Sequence, residues 1–452
     1  MNKMFETIRY LLLFLIVPFT LIEWRLFGSG NLFCSFSYIL ISCLLVLFVF
    51  IPINTKTTNK ILRLNILSIA FLVGLVIYLC SYSLYTFGLT TFNHLHYYWI
   101  ATGLLIYTLF YLFCNEPSVF SFLRKLIVTV ACCEGLICIA QKIDLMPTTN
   151  SLFHVSGSCS NPNVTAMFLA LSAPLLFIGL DNRWKKLLHI FLLSLIVVSV
   201  ILLKSRTGLV GVIVCCAVFT TVKYSLYNKI IGLRPSYRIA ICVASISLLA
   251  VCGWTLLNFE KESSYGRMFI WKISALSIAK KPIFGAGLSM FQHDYNLEQA
   301  AYIKSNNLSQ HEIQNAAFVN MPYNDYLSIL FEGGVVGLLL YLGFILALLV
   351  RTKYFVTSNE GLSCMCGILA FLTMGVVNFS LTAVPALLVF SIYVAYILAT
   401  QAKTRSKRGL FSFVPRIGYP KLLYSVLPAT IALTQLEQIT PKVGIYRGGQ
   451  FF

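Results

Sequence analysis

Apolar runs of about 20 residues recur along this chain, and that is the length a helix needs to cross a hydrocarbon layer. Backbone in such a layer must satisfy its own N–H and C=O groups, so the runs read as helices. They fall at 10–24, 33–52, 64–86, 97–114, 126–141, 164–180, 187–203, 207–222, 239–256, 325–350, 361–378 and 381–399. The expected architecture is an all-α, polytopic transmembrane bundle of about twelve spans. Only 11% of the 452 residues are charged, against about 25% in a soluble domain, so most of the chain has no water-facing surface to cover. Met1–Ile22 resembles a signal peptide, with Lys3 and Arg9 ahead of an apolar core. It lacks a small-residue cleavage pattern and closes on Glu23-Trp24-Arg25, which makes it an uncleaved first span.

The net charge of +19 argues for membrane topology and against nucleic acid, because the basic residues sit in short clusters between apolar runs. With the N-terminus inside, the short outer loops hold only Arg25, Lys142, Lys204 and Arg206; other basic residues lie in one long outer loop or in cytoplasmic segments. That asymmetry places both termini in the cytoplasm. Four regions follow: an N-terminal bundle of about nine spans (1–256), a large outer loop (257–324), about three further spans (325–399) and a basic tail (400–452). The tail opens on Lys403-Thr-Arg-Ser-Lys-Arg408, a cluster that favours anionic lipid. Within the long loop, Tyr265–Lys280 interleaves Met268, Trp271, Ile273, Leu276 and Ile278 with basic and small polar positions, as in a helix lying on a membrane face. The cysteines fall almost wholly within predicted helices, without metal or disulfide spacing, and read as small apolar residues. No internal repeat is visible, which disfavours an inverted-repeat transporter.

Several polar residues stand where apolar ones would be cheaper. Arg206, in Leu203-Lys-Ser-Arg-Thr-Gly208, occupies a tight outer turn; it is either an interfacial anchor or a guanidinium fork for phosphate. Arg267 opens the amphipathic stretch, on a solvated face or aimed at the same anion. Glu134 lies in mid-span, as a partner in a helix–helix hydrogen bond or as a proton-handling carboxylate. Asn161 and Asn163 precede the sixth span, as cap and turn or as ligands for sugar or phosphate. Asn324 and Glu332 stand where the long loop re-enters the membrane, beside glycines that suit close helix packing. His293 and His311, in the long loop, are candidate bases.

Taken in order, Ser205-Arg-Thr-Gly208, Arg267 with Trp271, Pro282-Ile-Phe-Gly-Ala-Gly-Leu-Ser-Met-Phe291, Asn324-Asp-Tyr-Leu327 and Glu332-Gly-Gly-Val-Val-Gly337 resemble the O-antigen ligase/polymerase family of membrane glycosyltransferases. The stretch Gly157–Asn163 resembles a further family feature. The resemblance implies a GT-C-like helix bundle in a bacterial inner membrane, with the long loop periplasmic and bearing short helices. It implies that Arg206 and Arg267 bind the diphosphate of an undecaprenyl-diphosphate-linked glycan, with no metal and no cofactor. Asn161, Asn163 and Asn324 would then be substrate-binding. Where the family often carries a histidine before the Asn-x-Tyr-Leu motif, this chain has Tyr323. The base is then Tyr323, His311 or Glu332, or the diphosphate takes the proton itself. The acceptor would be lipid A-core for a ligase, a repeat unit for a polymerase, or a protein hydroxyl for an O-oligosaccharyltransferase. A polysaccharide flippase or transporter is the reading from another class.

Overall fold

The computed structural model describes residues 2–22, 33–50, 95–179, 183–237, 261–287, 290–305, 309–349 and 358–407. All regular structure among them is helical. In chain order the helices are α1 (Asn2–Phe19), α2 (Phe33–Phe50), α3 (Leu95–Asn115), α4 (Pro117–Lys142), α5 (Pro162–Leu176), α6 (Arg183–Leu202), α7 (Arg206–Lys223), α8 (Leu226–Ile231), α9 (Lys261–Lys280), α10 (Phe291–Ser305), α11 (Gln310–Asn315), α12 (Asp325–Leu349), α13 (Asn359–Gly375) and α14 (Val384–Lys407). A helix stands at every expected span within the described residues; the spans expected at 64–86 and 239–256, and the tail beyond 407, lie outside them. Among the described residues, four segments have both the length and the apolarity to cross a membrane: Pro162–Gly179, Arg206–Lys223, Asp325–Leu349 and Val384–Ala402. The chain divides into two units, Met1–Gln401 and Ala402–Phe452, and the site lies in the first.

Helix α4 begins at Pro117 rather than near 126, because proline fits a first helical turn, where its missing N–H leaves no bond unmade. Helix α5 is the centre of the larger core. Every one of its residues except Asn163 is buried, as expected of a helix that is apolar all round. It packs against α4, α6, α7 and α13, and the Tyr393 hydroxyl of α14 donates to its Leu171 carbonyl. Small residues permit the approach. A Cβ on Gly208 would come within 2.8 Å of Ala166 Cβ, and one on Gly211 within 2.6 Å of Met374 Sδ. In a bilayer such contacts act through dispersion, because lipid tails are as apolar as the helices they face.

A second, smaller core joins α9, α10 and the first half of α12 through Phe269, Ile270, Ile273, Phe291, Tyr295, Val319 and Phe331. Here the amphipathic reading is corrected. Helix α9 buries Phe269, Ile270 and Ile273, while Met268 and Leu276 are exposed, because α10 and α12 lie against it. The glycines after Glu332 also differ from expectation. Helix α12 breaks at Gly334, with φ 61° and ψ −166°, a conformation essentially restricted to glycine. The loop 282–287 pairs backbone to backbone across this break. Ala286 N donates to Phe331 O at 2.8 Å, Gly287 N to Glu332 O at 3.0 Å and Val335 N to Pro282 O at 2.9 Å. Gly334 therefore serves a loop–helix junction, where the spacing had pointed to helix–helix packing.

Candidate functional site

The site is assembled from helix starts. Asn161 caps α5, its side chain accepting from Asn163 N at 2.9 Å. Asn163 in turn accepts a 2.7 Å bond from the Ser205 hydroxyl. Ser205 caps α7 by accepting from Gly208 N at 3.2 Å, which puts Arg206 at the first position of that helix, half-buried. The starts of α5 and α7 are thus tied side by side, and both present partial positive charge to whatever lies before them. Asn161 and Asn163 do their local work as cap and tie; Asn163 also brings its helix to Arg206.

The turn leading into α5 is held from α4. Gln141 accepts from Ser156 N at 3.0 Å and Gly157 N at 2.8 Å, and donates to Gly157 O at 2.9 Å. Two helical turns earlier, buried Glu134 accepts from Ser158 N at 3.0 Å and from the Ser158 hydroxyl. The partner of Glu134 is therefore a loop, where the sequence reading had a neighbouring helix in view.

Arg267 lies near the start of α9, half-buried. Its Nη1 donates to the Val377 carbonyl at 2.7 Å, and its guanidinium carbon stands 5.6 Å from the Tyr323 ring centroid, within cation–π range. Tyr323 has φ 52°, uncommon for a residue with a side chain. The Tyr323 ring also meets Phe379 edge-on at 5.7 Å. Trp271 fixes the preceding residue, its indole N–H donating to Pro322 O at 2.9 Å. One residue after Val377, Asn378 donates from Nδ2 to Thr207 Oγ1 at 3.0 Å, and Thr207 follows Arg206. The connection 376–383, between α13 and α14, therefore bridges the two arginines.

The start of α12 supports that connection. Asn324 caps α12 by accepting from Leu327 N at 2.9 Å. The next residue, buried Asp325, accepts from the Ser380 hydroxyl and from Leu381 N, the latter at 3.1 Å. Two other expected site residues have different settings. Glu332 sits at the break in α12 and accepts from Phe291 N, the start of α10, at 3.4 Å. His311 lies on α11, whose capping box pairs Ser309 with Glu312. That short helix is tied to α9 by Lys272 Nζ, 2.8 Å from Glu312 Oε1. The lysine hydrogen bond and the amide of Ser309 lower the Glu312 carboxyl to about 2, and the same Glu312 contact raises Lys272.

Arg206, Asn161 and Asn163 thus form one end of the site, Arg267, Tyr323 and Asn324 the other, and Thr207, Val377, Asn378 and Asp325 join them. Thr207 and Asp325 stand inside motifs that carry the resemblance, but none of the four is expected from the sequence as a site residue. The signal available was a polar interruption, Asn378-Phe-Ser380, between two apolar runs. Arginines beside two helix starts, one of them stacked on an aromatic ring, have the donor chemistry that a multiply charged anion would match.

A family model described as O-antigen ligase matches residues 164–342. That segment runs from the start of α5 to the apolar half of α12 and contains both arginines. No curated protein matches the chain.

Proposed function

We propose, on the match of the O-antigen ligase family model to residues 164–342, that the chain transfers a glycan from undecaprenyl diphosphate to an acceptor hydroxyl, that of lipid A-core, at the periplasmic face of a bacterial inner membrane. The observation that carries this reading is the joining of Arg206 and Arg267 through Thr207, Asn378 and Val377. In the reaction the acceptor oxygen bonds to the anomeric carbon as the bond from that carbon to the diphosphate oxygen breaks. Undecaprenyl diphosphate leaves with the bonding electron pair. Its negative charge grows on oxygens that the two guanidiniums meet, so their stabilisation is largest in the transition state. Removal of one such donor costs about 10²–10³ in rate. The helix starts at Asn161 and Asn324 border the same region and suit the sugar and phosphate oxygens. Transfer proceeds without a divalent metal, the arginines taking the charge that a metal would otherwise neutralise.

Of the three side chains considered as base, Tyr323 supports Arg267 through its ring and Glu332 caps α10. The acceptor proton passes to the departing diphosphate, and Tyr323 acts as a positioning residue. His311 is the residue to which the proton would be reassigned if His311→Ala abolished transfer, since general-base catalysis contributes about 10²–10⁴-fold.

The test is a surface-glycan gel from a strain deleted for this gene and complemented with wild type, Arg206→Ala or Arg267→Ala. Loss of the whole ladder with intact core, restored by wild type and by neither variant, is the expected result. A ladder shortened to one repeat would make the enzyme a polymerase. An unchanged ladder in the deletion would remove both acceptors and leave a protein hydroxyl, or transport, to be examined. Restoration by Arg206→Ala at wild-type level would remove the mechanism.

A further inference from the structure

The connection 376–383 lies outside the segment that matches the O-antigen ligase family. It is nevertheless contacted from four directions. Arg267 of α9 donates to its Val377 carbonyl. Tyr323 packs its ring against Phe379. Asp325, at the start of α12, holds Ser380 and Leu381. Thr207, in the first turn of α7, receives the Asn378 amide. Asn378 and Thr207 are both buried, at 0% and 3% exposure, so water does not substitute for the bond between them. The connection itself is tightly seated. A Cβ on Gly375 would come within 2.6 Å of Asp325 Oδ2, and the Tyr326 hydroxyl donates to Leu372 O at 2.9 Å just ahead of it.

The first turn of α7 is consequently fixed on two sides, by Asn163 through Ser205 and by Asn378 through Thr207. Arg206 lies between those two contacts. Arg267 is fixed by the residue adjacent to Asn378. Two guanidiniums grip a diphosphate well only if their separation suits its two phosphates, and recognition sites of this kind lose function when loosened by about 1 Å.

We propose that Asn378 is a positioning residue that sets the spacing of Arg206 and Arg267, so that the pair selects a diphosphate over a monophosphate. This rests on the diphosphate reading of the site given above. Asn378 acts through Thr207 and Val377 and is not itself placed on the substrate.

The experiment uses the full chain in lipid nanodiscs, with farnesyl diphosphate and farnesyl monophosphate as probes in titration calorimetry. Wild type is expected to prefer the diphosphate by at least about tenfold, about 1.4 kcal/mol. Asn378→Ala and the near-isosteric Thr207→Val should each lose most of that preference while binding the monophosphate as wild type does. The double variant should be no weaker than either single one, because both changes remove the same bond. A merely structural role would weaken both probes alike, and that result overturns the proposal. It is also overturned if Thr207→Val keeps the wild-type preference while Arg206→Ala loses binding, even should Asn378→Ala fail to fold. If Arg206→Ala and Arg267→Ala bind the diphosphate as wild type does, the diphosphate reading fails and the spacing role falls with it.

Discussion

At Tyr323 a residue with a full side chain is held in the left-handed region, at φ 52°, and its ring lies under the Arg267 guanidinium. Strained backbone of this kind costs about 1–3 kcal/mol and persists where the surroundings over-determine it. The ring, and not the hydroxyl, makes the contacts that hold it. Tyr323→Phe is accordingly expected to keep transfer within about threefold of wild type, whereas Tyr323→Leu loses about tenfold or more, the worth of a desolvated cation–π contact. Rates of lipid-linked glycan transfer by the two purified variants check this, and a dead phenylalanine variant would return the hydroxyl to a proton-handling role. A contrast of the same kind exists at two adjacent glycines. A Cβ on Gly334 would meet Ile283 O at 2.2 Å, while one on Gly333 meets nothing within 4 Å. Gly334→Ala should lower stability by about 1–3 kcal/mol through its φ alone, with the clash in addition, and Gly333→Ala should be close to neutral. Thermal unfolding of the two variants in the same detergent distinguishes them.

Among the elements, α11 depends on charge. It is a single short helix, too brief to be stable by itself, and it is kept in place by its capping box and by Lys272. The Glu312 carboxyl is lowered to about 2. The stability this contributes is therefore fully present above the ordinary carboxylate range, about 4.3, and fades as pH falls from there through about 2. Hydrogen exchange across 309–315 should accelerate as pH falls through that window once intrinsic exchange rates are corrected for. Glu312→Gln should show the faster exchange already at neutral pH and lose the dependence. Raising the salt concentration should produce part of the same effect, since the lysine side is exposed and screened. If exchange in wild type did not change between pH 5 and 2.5, the ion pair would not be what holds α11.

The described residues contain four segments of crossing length and apolarity, and α12 turns Leu339, Leu340 and Leu346 outward, as a lipid-facing helix does. The positive-inside reading puts 257–324 on one side of the membrane and 223–238 on the other. A phosphatase reporter fused after Phe318 should be active in the periplasm, and one fused after Tyr237 should be inactive, while a fluorescent reporter behaves in the opposite way. The reverse pattern would place the arginine pair in the cytoplasm and exclude a periplasmic transferase.

Helical class, the order of apolar segments, and the residues that carry the family resemblance were all legible in the sequence. Span length and periodicity are local properties, and in a bilayer the backbone has no alternative to helix among the segments that cross. Arg206 and Arg267 stood out singly for the same reason, each being an expensive residue at a membrane boundary. The resemblance already paired them; tertiary structure alone supplied the bonds that link their segments. The bonds that join them link residues 110 and 171 positions apart, and pairing at that separation depends on how α5, α7, α9 and α13 pack. The same packing turned Glu134 toward Ser158, and it assigned Glu332 to cap α10. It also gave Asn378 the central place between the segments that carry the arginines. A buried amide finds whichever partner the fold brings within reach, because leaving it unpaired costs about 1–3 kcal/mol, and that partner is a fact of three dimensions.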